Sequence, residues 1–279
     1  MAKAIVVTGG NAGIGLALCK QLVTENGCRV FMGSRSPEKG AAAAASLGLS
    51  EEAAKRLTVV QIDVGSDESV QAAAATVKGL LGEGMLYGLV NNAGAGLNQG
   101  AIPHSEVINT NFYGPKRMCD AFIPLLDPAE GRIANVGSGA AGGYVKKLGQ
   151  TDEARMLMAG DATVSEIEDY VKSKMDGGGL DDFGAYGLSK AALAAYTQQL
   201  AKTNPGIVSS CMSPGFIDTN MTKGFGASKK PEEGTLAIRK CLFEKLGGNG
   251  WYYGSDGIRS PYHFMRNPGE PEYDGVMPF

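Results

Sequence analysis

Short apolar, β-branched runs alternate along this chain with longer stretches of helical character, and no other feature restricts its fold as much. The apolar runs cover residues 4–7, 29–32, 57–62, 86–90, 132–136, 207–212 and 250–253. Between them lie helical patterns over 13–25, 37–45, 66–81, 105–126, 184–202 and 231–243. Strands that are apolar throughout belong in a parallel sheet with helices on both faces. Right-handed crossovers then give an α/β, doubly wound sheet of about seven strands, with ligands at the carboxyl ends of the strands. Ser36 before Pro37 reads as an N-cap followed by proline at the first helical position.

Two segments break the rhythm. Residues 139–183 are too long for a connection. Ser165-Glu166-Ile167-Glu168 has the spacing of a capping box ahead of Tyr170 and Val171, and Gly177-Gly178-Gly179 closes the stretch. A helical insertion is predicted there. Residues 261–279 hold Pro261, Pro268, Pro271 and Pro278 and show no period, so an irregular C-terminal tail is expected. No repeat or linker divides the chain, and 1–279 reads as a single domain.

Composition narrows the partners. Apolar residues make up 43%, enough for a large core, and 26 basic against 29 acidic side chains leave a net charge of −3. No field of one sign draws in nucleic acid or a membrane surface. No apolar run is long enough to cross a bilayer. Met1-Ala2-Lys3-Ala4-Ile5 enters a strand pattern at once, without the text of a signal peptide. Cys19, Cys28, Cys119, Cys211 and Cys241 form no CxxC pair, so reduced thiols in a cytoplasmic protein are expected. His104 and His263 lie far apart, and no metal site is expected.

Four motifs carry chemistry. Thr8-Gly9-Gly10-Asn11-Ala12-Gly13-Ile14-Gly15 joins the first strand to the first helix in a TGxxxGxG pattern. Glycines there let the backbone approach a pyrophosphate at a helix N-terminus; an ordinary tight turn is the alternative. The second strand ends in Gly33-Ser34-Arg35-Ser36, with no carboxylate for a ribose 2′-hydroxyl. Arg35 there either binds a 2′-phosphate or is a solvated surface charge. Asn91-Asn92-Ala93-Gly94 follows the fourth strand and admits a close cofactor, or is a plain polar turn. Asp63, after the third strand, either bonds an adenine amino group or caps the next turn.

Tyr186-Gly187-Leu188-Ser189-Lys190 sets a phenol and an ammonium at i and i+4, on one helix face. Lowering a phenol by ~3 pKa units needs ~4 kcal/mol, about what one ammonium ~4 Å away supplies at an effective dielectric of ~20. The pair suffices for general acid–base catalysis, although YxxxK alone also arises by chance as a surface pair.

Taken together and in order, these motifs resemble the short-chain dehydrogenase/reductase family, in its classical type, from about Lys3 to Gly257. Asn111, in Asn109-Thr110-Asn111, is similar to the family's helix asparagine that supports a proton-relay water. Ser138, after Gly137, is similar to the serine that bonds the substrate oxygen. Ser213-Pro214-Gly215-Phe216-Ile217-Asp218-Thr219 is similar to the segment beside nicotinamide, and Asp256-Gly257 to the end of the last strand. The opening glycine motif and the insertion most resemble the monomeric carbonyl-reductase branch, except that Ala12 stands where that branch carries Lys or Arg.

The resemblance implies a Rossmann-type fold and the catalytic residues Asn111, Ser138, Tyr186 and Lys190. It also implies NADP(H) held by Gly9, Asn11, Gly13, Ile14, Gly15, Ser34, Arg35, Asp63, Val64, Asn91, Ala93, Gly94, Val136, Tyr186, Lys190, Pro214, Gly215, Ile217 and Thr219. The implied reaction is NADPH-dependent reduction of a ketone or aldehyde to an alcohol, with Lys190 lowering the Tyr186 pKa. Alternatives are oxidation of a secondary alcohol and an idle NADP(H) sensor. A small-molecule substrate and a monomeric protein are expected. In the monomer, the apolar stripe of Val164, Ile167 and Val171 would cover the helix surface that tetrameric relatives use.

Overall fold

A computed structural model describes residues 2–96, 102–261 and 266–276. Its strands are β1 (Ala4–Val7), β2 (Arg29–Ser34), β3 (Leu57–Gln61), β4 (Gly88–Asn91), β5 (Arg132–Val136), β6 (Val208–Met212) and β7 (Trp251–Tyr253). They form one parallel sheet in the order β3-β2-β1-β4-β5-β6-β7. The chain winds outward from β1 in one direction and from β4 in the other. The crevice between their carboxyl ends is therefore the switch point of the sheet.

The helices are α1 (Gly13–Thr24), α2 (Pro37–Ser46), α3 (Glu51–Ala54), α4 (Asp67–Leu81), α5 (His104–Ile108), α6 (Gly114–Phe122), α7 (Gly139–Leu148), α8 (Asp152–Ala159), α9 (Val164–Asp176), α10 (Asp182–Thr203) and α11 (Leu236–Phe243). Alternate β1 side chains feed opposite faces of the sheet, as the pleat requires. Ile5 and Val7 join Leu18, Leu22, Ile238 and Leu242 under α1 and α11. Ala4 and Val6 join Phe112, Met118, Leu188 and Ala192 under α6 and α10.

The second strand runs two residues beyond the expected end, because Gly33 and Ser34 pair with Val60 and Gln61. The helix expected over 105–126 is broken. Between α5 and α6, Asn109–Tyr113 forms a π-helical turn in which the Gly114 N–H bonds back to Asn109 O. Pro115 has no N–H to continue the α ladder, and the wider turn absorbs the defect. Pro124 lies in a closing 3-10 turn, Ile123–Leu125. The 231–243 pattern likewise opens with a 3-10 turn, Glu233–Thr235. Ser36 caps α2 as expected, accepting from Lys39 N at 3.1 Å.

The insertion is three helices, α7 to α9. Its capping box lies two residues upstream of the expected one. Thr163 Oγ1 accepts from Glu166 N at 3.2 Å, and Glu166 accepts from Thr163 N at 2.7 Å. Thr163→Ala is expected to lower stability by about 1 kcal/mol, and Ser165→Ala by much less. Urea unfolding of the two variants checks this, and equal losses would contradict the placement of the cap.

The three helices enclose α10. Gly187 lets α7 approach so closely that a Cβ there would meet Tyr144 Cβ at 3.0 Å and Ala140 O at 3.2 Å. Ile167 and Val171 of α9 are buried, and Val164 packs against the same core. Tyr144, Tyr170, Glu153 and Lys174 tie α7, α8 and α9 together. Lys116 of α6 reaches Glu168 of α9 at 3.7 Å. Together with the sheet, α5 and the π-helical turn, the three helices bury every residue of α10 from Ala185 to Thr197.

The described part of the tail has no helix or strand, as expected. It is fastened by Arg266 to Asp256 and by Arg259, which lies over both Trp251 and Tyr273. His263 and Pro278 lie outside the described residues.

Candidate active site

A cleft of about 530 Å³ opens at the switch point, lined from Arg35 and Lys39 at one end to Tyr186, Lys190 and Met221 at the other. The β1–α1 turn forms its floor. Gly9 (φ 61°) and Gly13 (φ 51°) hold backbone conformations that side chains disfavour. A Cβ on Gly15 would collide with Gly9 O. Ala12 is the N-cap of α1; it has no side-chain cap and the first turn carries no acid. The first N–H groups of a 12-residue helix therefore face the cleft with nothing from the helix itself to neutralise them. This cradle fits a pyrophosphate.

Thr8 locks the cradle to the next loop. Its hydroxyl accepts from Asn92 N and Ala93 N, each at 3.0 Å, and Asn92 Nδ2 returns to Thr8 O at 2.9 Å. At the end of β2, Ser34 is buried and donates to Ser36 O at 2.8 Å, whereas Arg35 and Lys39 just beyond are exposed at the cleft. Neither cation is tied to a carboxylate among the described residues. Lys39 was not anticipated from the sequence; it follows Arg35 by four residues, across a strand–helix turn. The two cations, with no acid beside Ser34, fit a 2′-phosphate on the ribose. Asp63 Oδ1 caps the next turn, accepting from Gly65 N at 2.9 Å, and the residue lines the cleft.

Most of the residues expected around a cofactor line the cleft, including Asn11, Ile14, Val64, Ala93, Gly94, Val136, Pro214 and Thr219. Asn91, Gly215 and Ile217 do not. Asn91 is buried and bonds Asn135 Oδ1 at 2.8 Å, while Asn135 Nδ2 bonds Thr197 Oγ1 at 2.9 Å, cross-linking β4, β5 and α10. Gly215 packs beside Ser255, and Ile217 beside Gly234. Ile102, Glu106, Thr110, Asn220 and Met221 line the cleft without a sequence signal.

Of the four expected catalytic residues, Tyr186 and Lys190 line the cleft, while Asn111 and Ser138 lie beside it without lining it. Tyr186 and Lys190, on α10, are buried. Asn111 sits in the π-helical turn and clamps the backbone of Ala95, accepting from its N–H at 2.8 Å and donating to its carbonyl at 2.9 Å. Its Nδ2 also donates to Ser189 Oγ at 3.0 Å. Ser138 caps α7, accepting from Ala140 N at 3.2 Å, and lies near enough to the Tyr186 hydroxyl to lower its pKa. Gly137 leaves no room for a second serine, since a Cβ there would meet Cys211 Sγ at 2.7 Å. Gly96 (φ 121°) lies against the phenol ring, where a Cβ would come within 2.8 Å of Tyr186 Cδ2.

Electrostatics favour the neutral form of both central groups. Burial pushes the Tyr186 phenol upward, opposed by the nearby Ser138 side chain, so at neutral pH it holds its proton. The Lys190 ammonium donates to Val136 O at 2.9 Å and lies 5.8 Å from the Tyr186 ring centre. Burial lowers Lys190 from its ordinary 10.5 to about 8. The unfolded chain thus binds this proton more tightly than the folded one. Its cost to stability is full below pH 8 and fades as pH rises toward 10.5. Lys190→Met is expected to stabilise the protein at pH 7 by up to about 3 kcal/mol and to flatten the rise in stability above pH 8. Denaturant midpoints across this range test it; an unchanged or lowered midpoint at pH 7 refutes it.

Three comparisons bear on this site. Residues 3–149 match the family model described as short chain dehydrogenase. The chain is 33% identical to (+)-neomenthol dehydrogenase of Arabidopsis thaliana, over 85% of this chain and 90% of that one. Salutaridine reductase from Papaver somniferum superposes with a TM-score of 0.76 at 29% identity, covering 90% of this chain and 99% of that structure. NADPH-bound carbonyl reductase from chicken fatty liver has the same fold, with a TM-score of 0.70 at 24% identity, covering 93% and 99%.

Proposed function

The chain belongs to the short-chain dehydrogenase/reductase family, and from that premise we propose that it reduces a ketone or aldehyde to the alcohol with NADPH. When bound, the reduced nicotinamide supplies the hydride that the carbonyl carbon receives. Tyr186 gives its proton to the carbonyl oxygen, and Ser138 holds that oxygen by a hydrogen bond. Lys190 fixes the cofactor ribose, and Asn111 supports the resupply of the proton through a water. The α1 cradle takes the pyrophosphate, and Arg35 and Lys39 take the 2′-phosphate, Lys39 replacing the cation absent at Ala12.

The observation that carries this reading is Tyr186: buried, lining the cleft beside Lys190 and biased toward its protonated form. An acid at rest suits reduction. The reverse oxidation uses the same atoms, and the relative from Arabidopsis thaliana is called a dehydrogenase. Following nicotinamide absorbance with a panel of cyclic and aliphatic ketones tests the proposal, and consumption of NADPH with none of them overturns it.

The whole chain acts as one catalytic unit in this reading, and it is a monomer. The packing of α7, α8 and α9 against α10 supports this. Light scattering at micromolar concentration is expected to give the mass of one chain, 29.0 kDa. A stable dimer or tetramer contradicts it. Among the described residues no helix is long and apolar enough to cross a membrane. The five cysteines are free and buried, which fits a reducing, cytoplasmic setting.

A further inference from the structure

Two phenylalanines stand exposed at the substrate end of the molecule. Phe183 is 55% and Phe225 45% accessible. Their rings meet edge to face, with 6.3 Å between centroids and 87° between planes. Phe183 lies in the first turn of α10, three residues before Tyr186, so the two side chains share a helix face. Phe225 belongs to the loop over residues 217–229, whose base is shut by the Ile217–Lys229 bridge and by the Asp218 N–H bond to Lys229 O at 2.8 Å. Thr222 braces the interior, donating to Ile217 O at 2.5 Å and accepting from Thr219 N at 3.0 Å.

Thr219, Asn220 and Met221 of this loop line the cleft. Phe225 follows Met221 by four residues and stands between Gly224 (φ 88°) and Gly226 (φ 81°), both with open space around them. The loop is therefore pinned at its base, and at its tip Phe225 N donates to Thr222 O at 3.0 Å. Its tip ring touches the helix that carries the proton donor. Neither ring lines the cleft itself; the pair stands outside it, Phe183 three residues before Tyr186 and Phe225 four after Met221.

Resting on the reduction reading above, we propose that Phe183 and Phe225 form the rim of the carbonyl end of the cleft. They select ketones whose C=O is carried on an uncharged, apolar ring. Neither phenyl offers a hydrogen bond, so the rim rewards apolar area alone. Phe183 lies roughly 4.5 Å along the helix axis from Tyr186, about the depth of one six-membered ring. A ring ketone with its oxygen at Tyr186 thus brings its far edge to the pair, and Phe225 swings on its glycines to admit it.

The experiment compares NADPH-dependent turnover of a tert-butyl-substituted cyclohexanone with that of butanedione, which is too small to reach the rim. Phe183→Ala and Phe225→Ala are each expected to raise KM for the ring ketone about tenfold, with kcat little changed. Constants for butanedione and the affinity for NADPH stay as in the wild type. A ring-ketone KM that does not move, or equal losses for both ketones, overturns the rim. A wild type inactive on both ketones overturns the reduction reading itself, and the rim with it.

Discussion

Tyr186→Phe is expected to lower kcat by about 10²- to 10⁴-fold, the usual contribution of a positioned general acid. Only the hydroxyl is lost. The ring keeps its packing against Gly96, and Lys190 keeps its bond to Val136 O. Affinity for NADPH, read by fluorescence titration, is expected to match the wild type. That split separates an acid from a structural residue, because a distorted cleft would weaken the cofactor too. Ser138→Ala is expected to lower kcat by a smaller factor, since it removes one bond to the oxygen and leaves the proton donor in place. Near-normal turnover by Tyr186→Phe would assign the acid to another group.

The second large effect concerns coenzyme choice. Arg35 and Lys39 both face the cleft and both are free of carboxylate partners among the described residues. A hydrogen bond to a charged group contributes about 1.5–3 kcal/mol, so each contact is worth about tenfold or more in affinity. Arg35→Ala with Lys39→Ala is expected to weaken NADPH by about 100-fold or more and to leave NADH unaffected, because NADH has no 2′-phosphate. Adding Ser34→Asp supplies the acceptor for a ribose 2′-hydroxyl and reverses the preference. Ratios of kcat/KM for the two coenzymes measure it. A wild type that uses NADH as well as NADPH refutes the roles of both cations.

The parts of this site that depend on local chemistry were legible in the sequence. A glycine that must turn, a tyrosine four residues ahead of a lysine on a helix, and a strand lacking an acid at its end all declare themselves within a few residues. What escaped reading depends on the third dimension. Lys39 belongs to the cleft because α2 starts directly after β2, at an angle no periodicity encodes. Asn91 turns inward to Asn135 rather than toward the cleft, a choice set by the spacing of β4 and β5. The π-helical turn arises from a conflict between Pro115 and the α ladder, while the surrounding apolar pattern still reads as one helix. The capping box moved because two overlapping hydroxyl–acid pairs, Thr163 with Glu166 and Ser165 with Glu168, compete, and Thr163 leaves Ile167 facing the core.

The enclosure of α10 by its own chain has a consequence in mass action. Where a catalytic helix is covered by a second copy, the free energy of covering it scales with the logarithm of protein concentration, and dilution exposes it. Here the cover is tethered on both sides, through Ser138 into α7 and through Asp181 into α10 itself. Its effective concentration is set by short connections and does not change with the number of molecules in solution. For the proposed monomer, midpoints of unfolding are therefore expected to be independent of protein concentration. Specific activity is expected to hold constant down to the dilutions at which a subunit-dependent enzyme would come apart and lose its active-site helix to solvent.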